Sequence, residues 1–327
     1  MNIYQYLVVA DFDATLADTF IPSPNNINVI VAYEKAIESI FGREGLAIFK
    51  EIGGLQNRAP MELVADLLRN GDEEKMMKRA GNFYESENIN LMGLVPQGKG
   101  ADFNWRIWDP IGTITETLIR CKLRYLIKEI GAILPGGKKW PLPCLGVLEF
   151  FEAIKALNQN GKIDIKLAII SSGHDEFIKK TFVEAWGLPC PSILVTDDDM
   201  RRLAYPVNPR EKVKPSVSLF NLVHLMWFTN QIGPIFDNLQ LIKFVVENRK
   251  RMIYFGDDPI KDGQLAEAAE VPFGWFSSGE VVTRVDLARP VFSFSDWKKV
   301  AESLSSPVTI ELFSGGRPFS EIILPLC

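Results

Sequence analysis

Apolar positions follow two rhythms along this chain. Residues 6–10, 165–170, 193–196, 251–255, 273–276 and 291–294 are short apolar runs bounded by turn residues, as expected of strands buried on both faces of a parallel sheet. Residues 146–157, 174–185 and 297–304 carry their apolar side chains at helical spacing instead. Strand and helix alternate from Pro141 onward, which predicts an α/β fold: a Rossmann-like, doubly wound parallel sheet.

The stretch between the first strand and Pro141 reads differently. After the turn-rich Pro22-Ser23-Pro24-Asn25-Asn26, the residues Tyr33, Ala36, Ile37 and Ile40 mark a helix that Gly42 can end. Residues 60–68 and 73–85 read as further helices, and residues 93–112 as a looser segment. Thr113 and Glu116 have capping-box spacing ahead of a helix carrying Ile114, Leu118, Cys121 and Tyr125 toward Gly131. The expected division is a core of residues 1–19 and 139–306, a mostly helical insertion of residues 20–138, and a C-terminal extension of residues 307–327. In that extension two apolar runs flank Ser314-Gly315-Gly316-Arg317-Pro318, the pattern of a β-hairpin or of a strap over the core.

Composition narrows the class. The chain has 327 residues, a size at which two domains are the prior expectation, and its 47% hydrophobic and 24% charged residues are those of a globular protein. A net charge of −5 with no long basic cluster argues against nucleic acid as a partner. The longest apolar stretch, residues 219–228, contains Asn221 and His224 and is too short to span a bilayer, so no membrane association is expected. The apolar run after the N-terminus flows straight into an acidic motif and reads as structure, not as an address. Cys121, Cys144, Cys190 and Cys327 are scattered without CxxC spacing, which fits free thiols and a cytoplasmic setting. With only His174 and His224, and His224 inside an apolar helical pattern, a histidine-rich zinc site or a Ser-His-Asp hydrolase is disfavoured. No GxGxxG follows a strand, which disfavours dinucleotide chemistry.

Candidate chemistry collects where the strands end, the edge at which such sheets bind ligands. The first strand delivers Asp11 and Asp13, two carboxylates whose i, i+2 spacing points them the same way. Their repulsion calls for a shared proton or a hard divalent cation with oxygen ligands, of which Mg²⁺ is the simplest. The second strand ends in Ser171-Ser172-Gly173, a hydroxyl and a glycine able to meet a phosphoryl group ahead of a helix N-terminus. Lys214 precedes Pro215 at an expected helix start, where an ammonium is unfavourable unless an anion is near; Lys212 is the reserve. The last strand ends in Gly256-Asp257-Asp258, with Asp262 four positions beyond.

Taken together, Asp11-Phe12-Asp13-Ala14-Thr15, Ser171, Lys214 and Gly256-Asp257 with Asp262 resemble the four motifs of the haloacid dehalogenase (HAD) superfamily of phosphatases and phosphotransferases. The resemblance covers residues 5–19 and 141–304, and by position the helical insertion resembles a C1-type cap. It implies that Asp11 is a nucleophile forming an aspartyl-phosphate and Asp13 the general acid and base. Ser171 and Lys214 would hold phosphoryl oxygens. Mg²⁺ would be held by Asp11, the Asp13 main-chain carbonyl and Asp257, with Asp258 or Asp262 behind the metal ligands or near Lys214, and Thr15, Ser172 and Gly173 also supporting these groups. Members that displace halide lack the second carboxylate, so Asp13 favours phosphate esters. One position departs from the family: Ala14 stands where glycine is usual, a modest constraint provided its φ is negative.

The expected function is a Mg²⁺-dependent phosphatase acting on a small phosphorylated metabolite. A phosphomutase or phosphotransferase of the same superfamily is the alternative, and a catalytically silent HAD-like binding module the alternative from another class. A cap of this size is large enough to exclude water over a small ester, with Arg58, Trp105, Arg106 and Trp108, beside Phe103, as candidate contacts to the leaving group. The sequence carries no signal for an oligomeric state.

Overall fold

A computed structural model describes residues 3–55, 58–86, 110–202, 213–232, 238–277 and 292–323. By internal contact the chain divides into two units, Met1–Thr19 with Pro141–Cys327, and Phe20–Trp140.

The first unit is built on a sheet of six parallel strands. In chain order these are β1 (Tyr4–Ala10), β4 (Ile163–Ser171), β5 (Ile193–Thr196), β6 (Met252–Gly256), β7 (Phe273–Phe276) and β8 (Phe292–Phe294). The two-residue strands β2 (Ala17–Asp18) and β3 (Leu142–Pro143) pair antiparallel outside it. The main sheet runs β5-β4-β1-β6-β7-β8. Chain progression therefore goes outward from β1 through β4 and β5 on one side, then restarts at β6 and goes outward through β7 and β8 on the other. The reversal falls beside β1, where such sheets open a crevice at the strands' carboxyl ends. Val9 is level with Ala168 and Tyr254, and Ala10 with Ile169 and Phe255, so Asp11 leaves β1 between the ends of β4 and β6.

Helices cover both faces, which is why β1, β5, β6 and the second half of β4 are near-continuous apolar runs, whereas the start of β4 and the edge strand β8 alternate. On one face Leu7, Val9, Ala168, Ile170, Met252 and Tyr254 pack against Phe220, Val223 and Trp227 of α8 (Ser218–Ile232) and Leu265 and Ala266 of α10 (Lys261–Ala268). On the other, Phe255 meets Phe150 of α5 (Val147–Asn158) and Trp297 of α11 (Trp297–Leu304), with ring centroids 6.2 and 4.9 Å away. The remaining helices of this unit are α6 (Asp175–Lys180), which runs on into a π-helical turn over Thr181–Ala185, α7 (Asp197–Arg202), α9 (Asn238–Asn248), α12 (Pro307–Ser314) and α13 (Phe319–Ile323).

The described part of the C-terminal extension is two helices, not a hairpin. Phe313 and Phe319 close edge-on around Tyr6, at 4.7 and 5.4 Å, and the Tyr6 hydroxyl reaches the carbonyls of Phe313 and Arg317. Ser306 caps α12 by accepting from Thr309 N, and Pro307 opens it, so local capping chemistry wins over the apolar rhythm that suggested strands.

The second unit is helical: α1 (Val29–Glu51), α2 (Pro60–Asn70), α3 (Glu73–Ser86) and α4 (Pro110–Glu129) enclose a core including Ile37, Ile40, Phe41, Leu63, Leu67, Met76, Ile114 and Leu118. Gly42 interrupts α1 as expected: its backbone is non-helical, at φ +75° and ψ −173°, a second helical stretch follows across the kink, and Arg79 donates to the Phe41 carbonyl there. Thr113 is not a cap, because α4 begins at Pro110 and Thr113 is buried inside it. Among the described residues, no helix is long and apolar enough to cross a membrane.

Candidate active site at the carboxyl edge of the sheet

Asp11 is the first residue beyond β1, and its N–H still donates to Phe255 O at 2.8 Å, extending the β1–β6 pairing by one position. Its Oδ1 accepts from Phe12 N at 2.7 Å and faces the Lys214 ammonium at 2.8 Å. The same ammonium lies 2.8 Å from Asp262 Oδ1. Lys214 is only 5% exposed and Asp262 1%, so this pairing is largely removed from water.

Lys214 is placed otherwise than expected. α8 begins at Ser218, four residues later, so Lys214 does not open a helix; the anions its ammonium calls for are two carboxylates, one of them in the first turn of α10. Burial pulls its pKa down, but the charges and hydrogen bonds of Asp11 and Asp262 outweigh that and keep it above the ordinary lysine value. Lys212 lies outside the described residues.

Asp262 sits in the first turn of α10, beside the strand end. Gly256 permits that, since a Cβ there would collide with the Asp262 carboxylate. Oδ1 of Asp262 accepts from the Tyr254 hydroxyl at 2.7 Å as well as from Lys214, and Oδ2 accepts from Asp258 N at 3.2 Å. Asp257 accepts from the Thr15 hydroxyl at 2.8 Å. Burial, then the Asp262 charge, pushes the Asp257 carboxyl up to about 6. Asp11 is also driven well above the usual carboxylate range, by burial first, with Asp262 and Asp257 adding and Lys214 opposing. Three carboxylates thus share one ammonium, which leaves an excess of negative charge.

That excess is the fit test for a cation. Asp11, Asp257 and Asp262 each place an oxygen within 4.8 Å of the others. With both Asp262 oxygens already facing donors, Asp11 and Asp257 are the pair suited to a metal. An all-oxygen, net-negative, partly buried set fits a hard ion such as Mg²⁺.

Asp13 accepts from the Thr19 hydroxyl at 2.6 Å. Ser171 Oγ accepts from Gly173 N at 2.9 Å. A Cβ on Gly173 would lie 3.0 Å from Ser171 Oγ and 3.3 Å from Asp13 Oδ2, so these three residues converge on one spot that a larger residue would crowd. Ala14, between the carboxylates and Thr15, has φ +60°, so the negative φ expected of it is not found. Two indoles hold the acidic loops by their main chain: Trp297 Nε1 donates to Thr15 O at 2.9 Å and Trp275 Nε1 to Asp257 O at 3.1 Å.

The other expected residues are elsewhere. Ser172 is exposed. Asp258 accepts from Ile260 N and Lys261 N at 2.9 and 3.0 Å, turning the chain into α10 rather than facing Asp257. In the helical unit, Arg58 is bound to Asp66 at 2.9 Å and Gly54 O at 3.0 Å, a tie between a loop and α2. Phe103, Trp105, Arg106 and Trp108 lie outside the described residues. His224 is a core residue, its Nε2 3.1 Å from Met252 Sδ and its pKa lowered to about 4 by burial. Sequence reading missed Thr19, Tyr254, Trp275 and Trp297. Thr19 stands in the first motif's own stretch; the others look like ordinary apolar positions until the pairing register is known.

No family model matches the chain, and no curated protein does. Among solved structures, it is similar to the magnesium-bound HAD-hydrolase YfnB of Bacillus subtilis, at 14% identity over 93% of this chain and 100% of that one, with a TM-score of 0.39. A 2-haloacid dehalogenase from Pseudomonas syringae shares 14% identity over 92% and 97%, with a TM-score of 0.42. The phosphate complex of CbbY from Rhodobacter sphaeroides shares 13% over 90% and 96%, also at 0.42.

Proposed function

We propose that this protein is a Mg²⁺-dependent phosphatase of the HAD type, hydrolysing a small phosphorylated metabolite through an aspartyl-phosphate on Asp11. The observation that carries the reading is the buried Asp11–Lys214–Asp262 array beside Asp257, assembled from three separate segments of the chain.

In this reading an Asp11 carboxylate oxygen attacks phosphorus and the ester oxygen leaves, dividing one difficult displacement into two easier ones. Asp13 gives the leaving oxygen its proton and then takes one from the attacking water, with the Thr19 hydroxyl fixing the carboxylate for both transfers. Ser171 and Lys214 hold the equatorial oxygens, and their preorganised charge and dipole stabilise the transition state. Asp11, the Asp13 carbonyl and Asp257 would hold Mg²⁺, which neutralises phosphoryl charge when bound. The presence of Asp13 favours an ester, whose leaving oxygen needs a proton, over a haloacid, whose halide does not. The resemblance to C1-capped members favours small metabolites as substrates.

Phosphate release from a panel of small esters, with and without Mg²⁺, tests the reading. Metal-dependent release that disappears in Asp11→Asn, in a variant with an unchanged circular dichroism spectrum, is the expected result. Near-normal turnover in Asp11→Asn ends the nucleophile assignment.

A further inference from the structure

Tyr254 is wholly buried on β6, two residues before Gly256, with its ring edge-on to Phe220 at 5.5 Å. Phenylalanine would fill that place equally well, yet the residue carries a hydroxyl, and the hydroxyl donates to Asp262 Oδ1 at 2.7 Å. The same oxygen accepts the Lys214 ammonium at 2.8 Å, and that ammonium reaches Asp11 Oδ1 at 2.8 Å. A continuous line of hydroxyl, carboxylate, ammonium and carboxylate therefore runs from the sheet interior to the proposed nucleophile. Lys214 Nζ also lies 5.7 Å from the centroid of the Tyr254 ring, within the range of a cation–π contact.

We propose that Tyr254 is a positioning residue that fixes the Lys214 ammonium through Asp262. Asp262 Oδ1 has two lone pairs; with the phenol on one, Lys214 has a single direction in which to approach the other. With the phenol removed, Oδ1 loses the donor that fixes its direction and only the longer Asp258 N contact to Oδ2 restrains the last torsion, so the ammonium loses its defined line to Asp11. The ring behind the ammonium and the hydroxyl on its partner act together, one limiting position and the other direction. The effect on turnover rests on the phosphatase reading; the effect on the ammonium does not.

The test is Tyr254→Phe in the full chain, with two readouts. In protein labelled with ¹⁵N-lysine, the Lys214 ammonium is identified by the signal lost in Lys214→Met, and its proton exchange is followed without metal or substrate. Wild type is expected to exchange slowly and Tyr254→Phe about tenfold faster, the scale of one lost hydrogen bond to a charged group. With a phosphate ester, kcat is expected to fall and the competitive inhibition constant of inorganic phosphate to rise, each by about tenfold on the same scale, while the Mg²⁺ half-saturation stays put. Phe273→Leu, which alters packing beside the Tyr254 ring but leaves its hydroxyl, separates positioning from bulk stability: it should lower the melting temperature and leave the ammonium signal alone. An ammonium that exchanges equally fast in wild type and Tyr254→Phe overturns the proposal, whatever turnover does. A wild type that releases no phosphate from any ester refutes the functional reading instead, and the ammonium exchange still decides the role of Tyr254.

Discussion

Replacing Ala14 with glycine should stabilise the protein. Ala14 holds φ +60° between Asp13 and Thr15, and its N–H donates to Ala17 O at 2.8 Å, so the tight turn that aims the carboxylates requires the left-handed conformation. For a residue with a Cβ that conformation costs about 1–2 kcal/mol. Glycine removes the clash but gives the unfolded chain more freedom, worth about 0.4–1 kcal/mol in the opposite direction. The difference is a net gain of about 0.5–1 kcal/mol. With an unfolding entropy of about 2.1 cal/mol/K per residue, a chain of this length should melt about 0.7–1.5 °C higher. Urea titration is the sharper assay: the midpoint should rise at constant slope, because the folded contacts and the surface exposed on unfolding are unchanged. Ala14→Val, with a branched Cβ, should move the midpoint the other way. A midpoint for Ala14→Gly at or below the parent's would refute the assignment of strain to this turn.

Asp257 supplies a pH dependence. Its carboxyl titrates near 6 in the folded state, above its unfolded value, so the contribution to stability is complete below about pH 4 and is lost as the pH rises through 6. Melting without metal should therefore fall across that interval, and Mg²⁺ should restore it most above pH 6; a metal-induced shift equal at pH 5 and pH 7 would remove Asp257 from the ligand set. Gly256→Ala puts a methyl into the Asp262 carboxylate and should cost about 1–3 kcal/mol while displacing Lys214. Denaturant unfolding with phosphate release on the same samples checks it, and an unperturbed variant would mean that the strand end yields more readily than its geometry suggests.

Most of the sheet was legible because strands buried on both faces announce themselves as apolar runs. The expected bounds of β5, β7 and α11 coincide with the observed ones. Two kinds of feature were hidden. Helix α9 and the helical C-terminal segments lack a distinctive rhythm: Leu239, Ile242 and Val246 of α9 are apolar yet exposed, and α12 is set by the Ser306 cap and Pro307 rather than by periodicity. Asp11, Asp13, Ser171 and Asp257 could be named from their places at strand ends, and Lys214 from a helix start that the structure puts four residues later, but most of what surrounds them could not. The resemblance already implies Asp258 or Asp262 near Lys214, but that Asp11 and Asp262 both meet its ammonium, and that a tyrosine within an apolar strand donates to Asp262, depends on registers between segments far apart in sequence. Ala14 shows the same boundary, since a missing glycine is visible in sequence whereas the sign of its φ is not.

The position of β1 also sets the order in which this molecule can be made. It is synthesised well before its partners, which begin at Ile163 and Met252, yet lies between them in the sheet. At about 5–20 residues per second, its first partner leaves the ribosome roughly 8–30 s later and its second later still. Throughout that interval an apolar segment with both edges unpaired must be sheltered, while the helical unit encoded next has its own core to collapse around. The acidic crevice is thus completed late: Lys214 can meet Asp11 only after β1 has waited roughly two hundred residues, Asp257 and Asp262 come later still, and β7, β8 and α11 close the core after them.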